Sequence, residues 1–135
     1  MGFTTTELCG AALLDLEWHK LNFATNIDVA AFEKSVARRL GLPKELTFRY
    51  RSPYFKHIFG GDGYSAGYYT YLWAEVLSSD GFSLFEEKGV WDKATAKSLL
   101  DNIISTGDSD DAMVLYKRFR GREPKVDALL KGRGL

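Results

Sequence analysis

Residues 54–75 read YFKHIFGGDGYSAGYYTYLWAE, a stretch in which one histidine, a glycine-rich hinge and several tyrosines follow one another closely. A helix that begins near Tyr64 would place four side chains at i, i+4, i+7 and i+11, and therefore on one face. These side chains are Tyr64, Tyr68, Tyr71 and Glu75. The pattern predicts a long helix from about residue 64 to residue 87 with a row of phenolic hydroxyls along it.

Gly60, Gly61 and Gly63 form the hinge, and their conformational freedom permits a sharp turn that returns His57 toward the tyrosine row. An imidazole and several phenols that converge in this way can donate hydrogen bonds to a developing oxyanion. Core packing is the competing interpretation, because aromatic residues at helical spacing more often fill a core than contact a ligand. His57 is equally well read as a structural histidine bonded to a carbonyl.

The rest of the chain has the periodicity and punctuation of an all-α protein of about six helices. The capping-box spacing of Thr4 and Glu7 predicts a first helix to about His19, and Asn26 or Asp28 can cap a second helix that pairs with it as a hairpin. The further predicted elements are a short turn from Pro53 to Phe59, a helix from Lys93 to Ser105 that ends at Gly107, a helix to Phe119 capped by Asp108 or Ser109, and a last helix opened by Pro124.

Length and composition indicate one globular domain over residues 1–135, long enough to bury a core. The 18 basic and 18 acidic residues balance, so the chain as a whole offers no attraction to nucleic acid. No window reaches the roughly 18 uninterrupted apolar residues of a membrane span. The single cysteine, Cys9, excludes an intrachain disulfide and fits a reducing compartment, so we expect a cytoplasmic protein.

Residues 112–135 are locally basic, with seven Lys and Arg side chains against Glu123 and Asp127. Such a tail could meet an anionic partner or a peptide carboxylate. The favoured interpretation is a solvated helix face that the acidic remainder of the chain neutralises. A second charged pattern, the pair Asp62 and Glu75, is a weak candidate for paired catalytic carboxylates because Asp62 lies in the hinge.

Beyond these patterns, the chain resembles the C-terminal region of the thimet oligopeptidase family of zinc metallopeptidases. The matching stretches are FKHIFGG and GYSAGYYTYLWAEVL between residues 55 and 77, GFTTTE at 2–7, ALLDLEWH at 12–19, FEEKG at 85–89 and YKRFRGREPKVDALL at 116–130. The resemblance implies an all-α fold that corresponds to the C-terminal part of a larger two-lobed helical peptidase.

The resemblance also implies roles for individual residues. His57 would bind the substrate or transition state, and Tyr64 and Tyr71 would donate to the scissile carbonyl, which makes these three the expected catalytic residues. The expected substrate-binding residues are Tyr68, Tyr69, Gly61 and Gly63. The segment 60–63 is one residue longer than the spacing typical of the family, an insertion that the glycines could absorb or that could move His57 out of reach.

Zinc in this family depends on an H-E-x-x-H helix, in which two histidines bind the metal and the glutamate acts as general base. No such motif occurs here, and the only histidines are His19 and His57. The resemblance therefore implies zinc in an intact parent enzyme, no zinc bound by this chain, and no catalysis by this chain alone.

The expected partners are short peptides and either the missing metal-binding part or a second copy of the chain, since a surface that normally packs on another lobe tends to be covered. The alternative function is a non-catalytic helical module that binds peptides or oligomerises.

Overall fold

A computed structural model of the chain describes residues 2–22 and 26–135. Over those residues all regular structure is helical, which confirms the all-α prediction. The α-helices are α1 (Gly2–His19), α2 (Val29–Arg39), α3 (Lys56–Phe59), α4 (Thr70–Lys88), α5 (Lys93–Leu99), α6 (Ala112–Arg120) and α7 (Asp127–Arg133). None of the described helices is both long enough and apolar enough to cross a membrane.

The chain divides into two compact units, residues 1–72 and residues 73–135. The prediction of one domain over residues 1–135 stays a prediction.

In the first unit, α1 and α2 pack as the predicted hairpin. Leu14 of α1 and Val36 of α2 are fully buried in one cluster with Phe48. Asp28 caps α2, since its carboxylate accepts a hydrogen bond from the Ala31 amide at 3.0 Å. This resolves the choice between two predicted caps in favour of Asp28.

The predicted capping box at the start of α1 is wrong. The helix already includes residue 2, so Thr4 and Glu7 are helical residues rather than cap and partner. The hydroxyl of Thr6 donates to the Gly2 carbonyl at 2.9 Å, as threonine does within a helix.

The segment between α2 and α4 lies on a second buried cluster formed by α1. Phe55 and Ile58, on either side of the start of α3, are 1% and 0% exposed and pack with Leu8, Ala11 and Tyr68. A short 3-10 turn at Ser52–Tyr54 precedes α3, and another at Asp62–Tyr64 follows it. The predicted turn from residue 53 to residue 59 is therefore present as two short helical pieces.

The predicted start of the long helix is wrong, because α4 begins at Thr70 rather than near Tyr64. Ala66 has a left-handed backbone with φ of 56°, and the amides of Ala66 and Tyr68 bond to the Asp15 carboxylate instead of to helical carbonyls. A carboxylate that captures these amides competes with the helix ladder for the same donors. Tyr64 and Tyr68 consequently share no helical face with Tyr71.

In the second unit, the predicted helix over residues 93–105 continues from α5 into a π-helical turn at Leu100–Ile104. Gly107 follows with φ of 55°, as expected for a helix end. Leu99 and Ile103 line the groove that α5 forms with its neighbours, whereas Leu100 and Ile104 are 49% and 65% exposed.

Two predicted helix starts in this unit are also wrong. Asp111, rather than Asp108 or Ser109, caps α6 by accepting from the amides of Met113 and Val114 at 2.9 and 3.2 Å. The last helix, α7, begins at Asp127 and leaves Pro124 in the preceding connection. In both cases several residues could serve as the start, and the sequence pattern favoured one that lies too early.

The basic tail is largely neutralised within the unit, which supports the favoured interpretation. Lys117 pairs with Glu123 at 2.6 Å, Arg118 with Asp110 at 2.7 Å, and Arg133 with Glu75. Arg120 and Arg122 pair with carboxylates on α4. These cations are thus already engaged by carboxylates of the chain.

Candidate functional site

The rings of His57, Tyr64, Tyr68 and Tyr71 form one group in the first unit, which we call the tyrosine–histidine cluster. The Tyr71 hydroxyl lies 3.2 Å from His57 Nε2. The centroid of the His57 ring lies 4.7 Å from that of Tyr64, 5.7 Å from that of Tyr68 and 5.9 Å from that of Tyr71. The structure thus brings together all three predicted catalytic residues, and the longer hinge does not separate His57 from the tyrosines.

The members of the cluster differ in exposure. Tyr64 and Tyr71 are 62% and 48% exposed, so their rings and hydroxyls reach solvent. Tyr68 is only 7% exposed, and its ring packs edge-on against Phe55 at 5.0 Å. Tyr69, the neighbouring predicted binding residue, is exposed and makes no ring contact among those described. The accessible face of the cluster is therefore made by Tyr64, Tyr71 and His57.

Electrostatics keep Tyr68 protonated. Burial raises the pKa of the Tyr68 phenol; the nearby positive charge of Arg49 opposes this rise, and the Tyr50 hydroxyl adds to it. The guanidinium of Arg49 lies 5.7 Å from the centroid of the Tyr50 ring. Tyr68 is consequently a neutral hydroxyl throughout the physiological range, able to donate a hydrogen bond.

The hinge between His57 and Tyr64 is open. A Cβ at Gly61 or Gly63 would meet no atom within 4 Å, whereas one at Gly60 would lie 2.9 Å from the Lys56 carbonyl oxygen. The Ser65 hydroxyl makes only long contacts across the hinge, 3.3 Å to the Gly61 carbonyl and 3.4 Å to that of Ile58. The predicted binding residues Gly61 and Gly63 thus lie in free space beside the cluster.

The segment that carries Tyr64 and Tyr68 is held by a residue that the sequence patterns did not indicate. Asp15 of α1 is 0% exposed, and its carboxylate accepts from the Ala66 amide at 3.1 Å and the Tyr68 amide at 2.9 Å. His19 Nδ1 lies 2.7 Å from the same carboxylate. An acidic residue inside an otherwise apolar helical stretch was the available signal, since a buried charge requires partners.

The two carboxylates of the weak pair, Asp62 and Glu75, fall in different units of the chain. Asp62 is exposed in the short turn after Gly61. Glu75 lies on α4 and pairs with Arg133.

The described residues do not fit a zinc site. Within residues 2–22 and 26–135, no group of three or more His, Cys, Asp or Glu side chains is arranged to hold a metal ion. Of the two histidines, His19 is engaged by Asp15 and His57 by Tyr71.

The second unit contains a separate apolar groove of about 530 Å³ between α4, α5 and α6. Its lining includes Trp73, Phe82, Ile103, Met113 and Phe119. Trp73 and Phe82 are both about half exposed. The groove holds no cluster of ionisable groups suited to chemistry, so its character is that of a packing surface.

The described part of the chain is thus all-helical in its regular structure and gathers the exposed phenols of Tyr64 and Tyr71 around the His57 imidazole. Comparison with known proteins makes the class definite: the family model of peptidase family M3 matches residues 1–135, and the chain belongs to that family.

Named relatives are similar over most or all of the chain. The dipeptidyl carboxypeptidase of Salmonella typhimurium is 46% identical over 137 residues, which cover 99% of this chain and 20% of that protein. Oligopeptidase A of Haemophilus influenzae is 52% identical over 103 residues, or 76% of this chain and 15% of that protein. Oligopeptidase A of Escherichia coli is 58% identical over 81 residues, or 60% of this chain and 12% of that protein. The chain spans about a fifth or less of the length of these relatives.

Proposed function

We propose that this chain is the part of a zinc peptidase that binds short peptides and stabilises the oxyanion formed when a peptide bond is hydrolysed. The observation that carries the proposal is the tyrosine–histidine cluster, in which the Tyr71 hydroxyl lies 3.2 Å from His57 Nε2 and the Tyr64 ring lies against the imidazole. Membership of peptidase family M3 supports the reaction class.

Hydrolysis of an amide places negative charge on the former carbonyl oxygen, and fixed donors aimed at that oxygen lower the barrier. When His57 carries its proton on Nε2, it donates to the Tyr71 oxygen and leaves the phenolic hydrogen free to point at a substrate. Tyr64, exposed on the hinge side of the same imidazole, offers a second donor. Two hydroxyls beside one imidazole can thus hold a carbonyl from the same side.

The remaining predicted residues have supporting roles in this proposal. Tyr69 and the open backbone at Gly61 and Gly63 leave room for an extended peptide beside the donors. Tyr68 is mainly buried, and its ring packs edge-on against the rings of His57 and Tyr71. In this proposal it offers at most its hydroxyl to a ligand.

In this proposal zinc would be held by polypeptide outside the described residues, and cytoplasmic localisation likewise stays a prediction.

Experiments on the isolated chain test whether it binds peptides without cleaving them. We expect no cleavage of an internally quenched short peptide by the chain with or without added zinc, together with measurable binding of the same peptide that Tyr71→Phe weakens. Tyr54→Phe is the matched control, because Tyr54 is 81% exposed and lies outside the cluster. Chelator-sensitive cleavage would show an unrecognised metal site. Equal peptide affinity of both variants would show that Tyr71 does not contribute to binding.

Association of copies is a second proposal, favoured by the apolar groove in the second unit. Exposed aromatic surface of this kind tends to be buried by oligomerisation. Light scattering of the isolated chain should give a mass above that of one copy, and Phe82→Glu should restore the monomer. A monodisperse monomer of the unaltered chain would count against the proposal.

A further inference from the structure

The backbone that carries Tyr64 and Tyr68 is bonded by a buried carboxylate of α1. Asp15 lies within α1, where an aspartate has low helix propensity, and it is completely buried. Both of its oxygens are used: Oδ2 accepts from the Tyr68 amide at 2.9 Å, while Oδ1 accepts from the Ala66 amide at 3.1 Å and lies 2.7 Å from His19 Nδ1. A buried charge with this set of partners is stabilised only while residues 66–68 stay in place.

His19 extends this arrangement to the other side of the hinge. Its Nδ1 also lies 2.9 Å from the Asp15 carbonyl oxygen, which fixes the orientation of the imidazole. The ring then stacks on Phe59, the last residue of α3, with centroids 5.7 Å apart. Asp15 therefore holds the end of the hinge that follows Tyr64, and His19 contacts the end that follows His57.

Between these two anchors the chain has little else to fix it. Residues 60–64 are exposed, and positions 61 and 63 have open space around them. His57 is tied to the core through its neighbour Ile58, whereas Tyr64 is tied through Ala66, two residues further along. The 4.7 Å separation of the His57 and Tyr64 rings consequently depends on both anchors being present.

We infer that Asp15, with His19 as its partner, is a positioning residue for the proposed oxyanion-binding site: it sets where Tyr64 lies relative to His57. The inference rests on the proposed function for its purpose, but the positioning itself can be measured without substrate. The predicted consequence is that loss of the carboxylate frees Tyr64 while leaving the helices intact.

The test uses the ¹⁵N-labelled chain and the variant Asp15→Asn, which keeps the size of the side chain and replaces one acceptor oxygen by an amide group. Loss of a hydrogen bond to a charged acceptor should speed hydrogen exchange at the Ala66 and Tyr68 amides roughly tenfold or more. The nuclear Overhauser effect between the His57 and Tyr64 rings should disappear. Far-UV circular dichroism should keep its helical signal.

Glu33→Gln is the matched control. Glu33 is also a buried carboxylate of the first unit, and it accepts from the Ser52 amide at 2.6 Å and from Arg51 at 2.5 Å. This variant should speed exchange at Ser52 and preserve the ring contact between His57 and Tyr64. A ring contact that persists in Asp15→Asn, or that is lost equally in Glu33→Gln, would overturn the inference.

If Asp15→Asn fails to fold, variants of His19 test the inference instead. His19→Leu removes the Nδ1 partner and should weaken the His57–Tyr64 ring contact, while His19→Asn keeps a nitrogen near the same place and should restore it. An unchanged contact in His19→Leu would refute the inference.

Peptide titration of the same samples distinguishes failure of the inference from failure of the proposed function. If the unaltered chain binds no peptide, the proposed function fails in the isolated chain, and the ring contact still decides the role of Asp15.

Discussion

Asp80 shows how one residue can organise the second unit. It is 2% exposed on α4, and its carboxylate accepts from the Tyr116 hydroxyl at 2.6 Å and from both terminal nitrogens of Arg122 at 2.7 and 2.9 Å. Arg120 donates to the Asp80 carbonyl oxygen at 3.1 Å and also pairs with Glu87. Two arginines from the basic tail are thus fixed around a single buried carboxylate.

Replacing the Asp80 carboxylate should destabilise the fold. We expect Asp80→Asn to lower the free energy of unfolding by roughly 3 kcal/mol, because Arg122 and Tyr116 would lose their charged acceptor in a buried setting. Asp101→Asn is the control, since Asp101 is half exposed and, among the described residues, pairs with Lys97 alone. Its cost should stay below about 0.5 kcal/mol in urea denaturation. Similar losses for both variants would contradict the role given to Asp80.

The contribution of Asp80 to the stability of the fold should depend on pH. Burial would raise the pKa of Asp80, but the hydrogen bonds from Arg122 and Tyr116 outweigh it and hold the pKa below its ordinary 3.8. A carboxyl with a depressed pKa in the folded state stabilises the fold above its unfolded-state pKa and loses that contribution as the pH falls through the folded-state pKa. The stability gap between the unaltered chain and Asp80→Asn should therefore be full at neutral pH and narrower near about pH 3. An equal gap at both pH values would show that Asp80 does not titrate as inferred.

At the scale of elements, we expect alanine substitutions at the two adjacent glycines between α3 and α4, Gly60 and Gly61, to have different effects. Gly61→Ala meets open space with extended backbone, so it should leave the fold and the contact between the His57 and Tyr64 rings unchanged. Gly60→Ala places a methyl group 2.9 Å from the Lys56 carbonyl oxygen, so the turn after α3 must shift. The nuclear Overhauser effect between the His57 and Tyr64 rings should therefore weaken for Gly60→Ala alone. An equal ring contact in the two variants would mean that the turn at residue 60 does not help to place the cluster.

The same elements show what local sequence can and cannot predict. Asp28 was predictable as a helix cap because its partner, Ala31, is three residues away. The true start of α4 was not, because the regular tyrosine spacing imitates a helix while Asp15, about fifty residues earlier, binds the amides of Ala66 and Tyr68. The convergence of His57 with Tyr71 was predicted correctly from the glycine hinge, although the helical face assumed to produce it does not exist.

At the scale of the whole molecule, the proposed function joins the hydroxyl donors of the tyrosine–histidine cluster to a metal centre, and the described residues contain no group of three or more His, Cys, Asp or Glu side chains arranged to hold a metal ion. The chain matches about a fifth of the dipeptidyl carboxypeptidase of Salmonella typhimurium along nearly all of its own length. Exchange of the matched segment can therefore place the tyrosine–histidine cluster beside a complete active site.

The most direct measurement is the rate of peptide hydrolysis by that chimera, in which this chain replaces the matched segment of the Salmonella enzyme. We expect an active chimera in which Tyr71→Phe lowers kcat by about a hundredfold, the typical loss for one oxyanion donor, with little change in KM. Tyr54→Phe should leave both constants unchanged. An active chimera whose kcat is unaffected by Tyr71→Phe would contradict the claim that this chain stabilises the oxyanion.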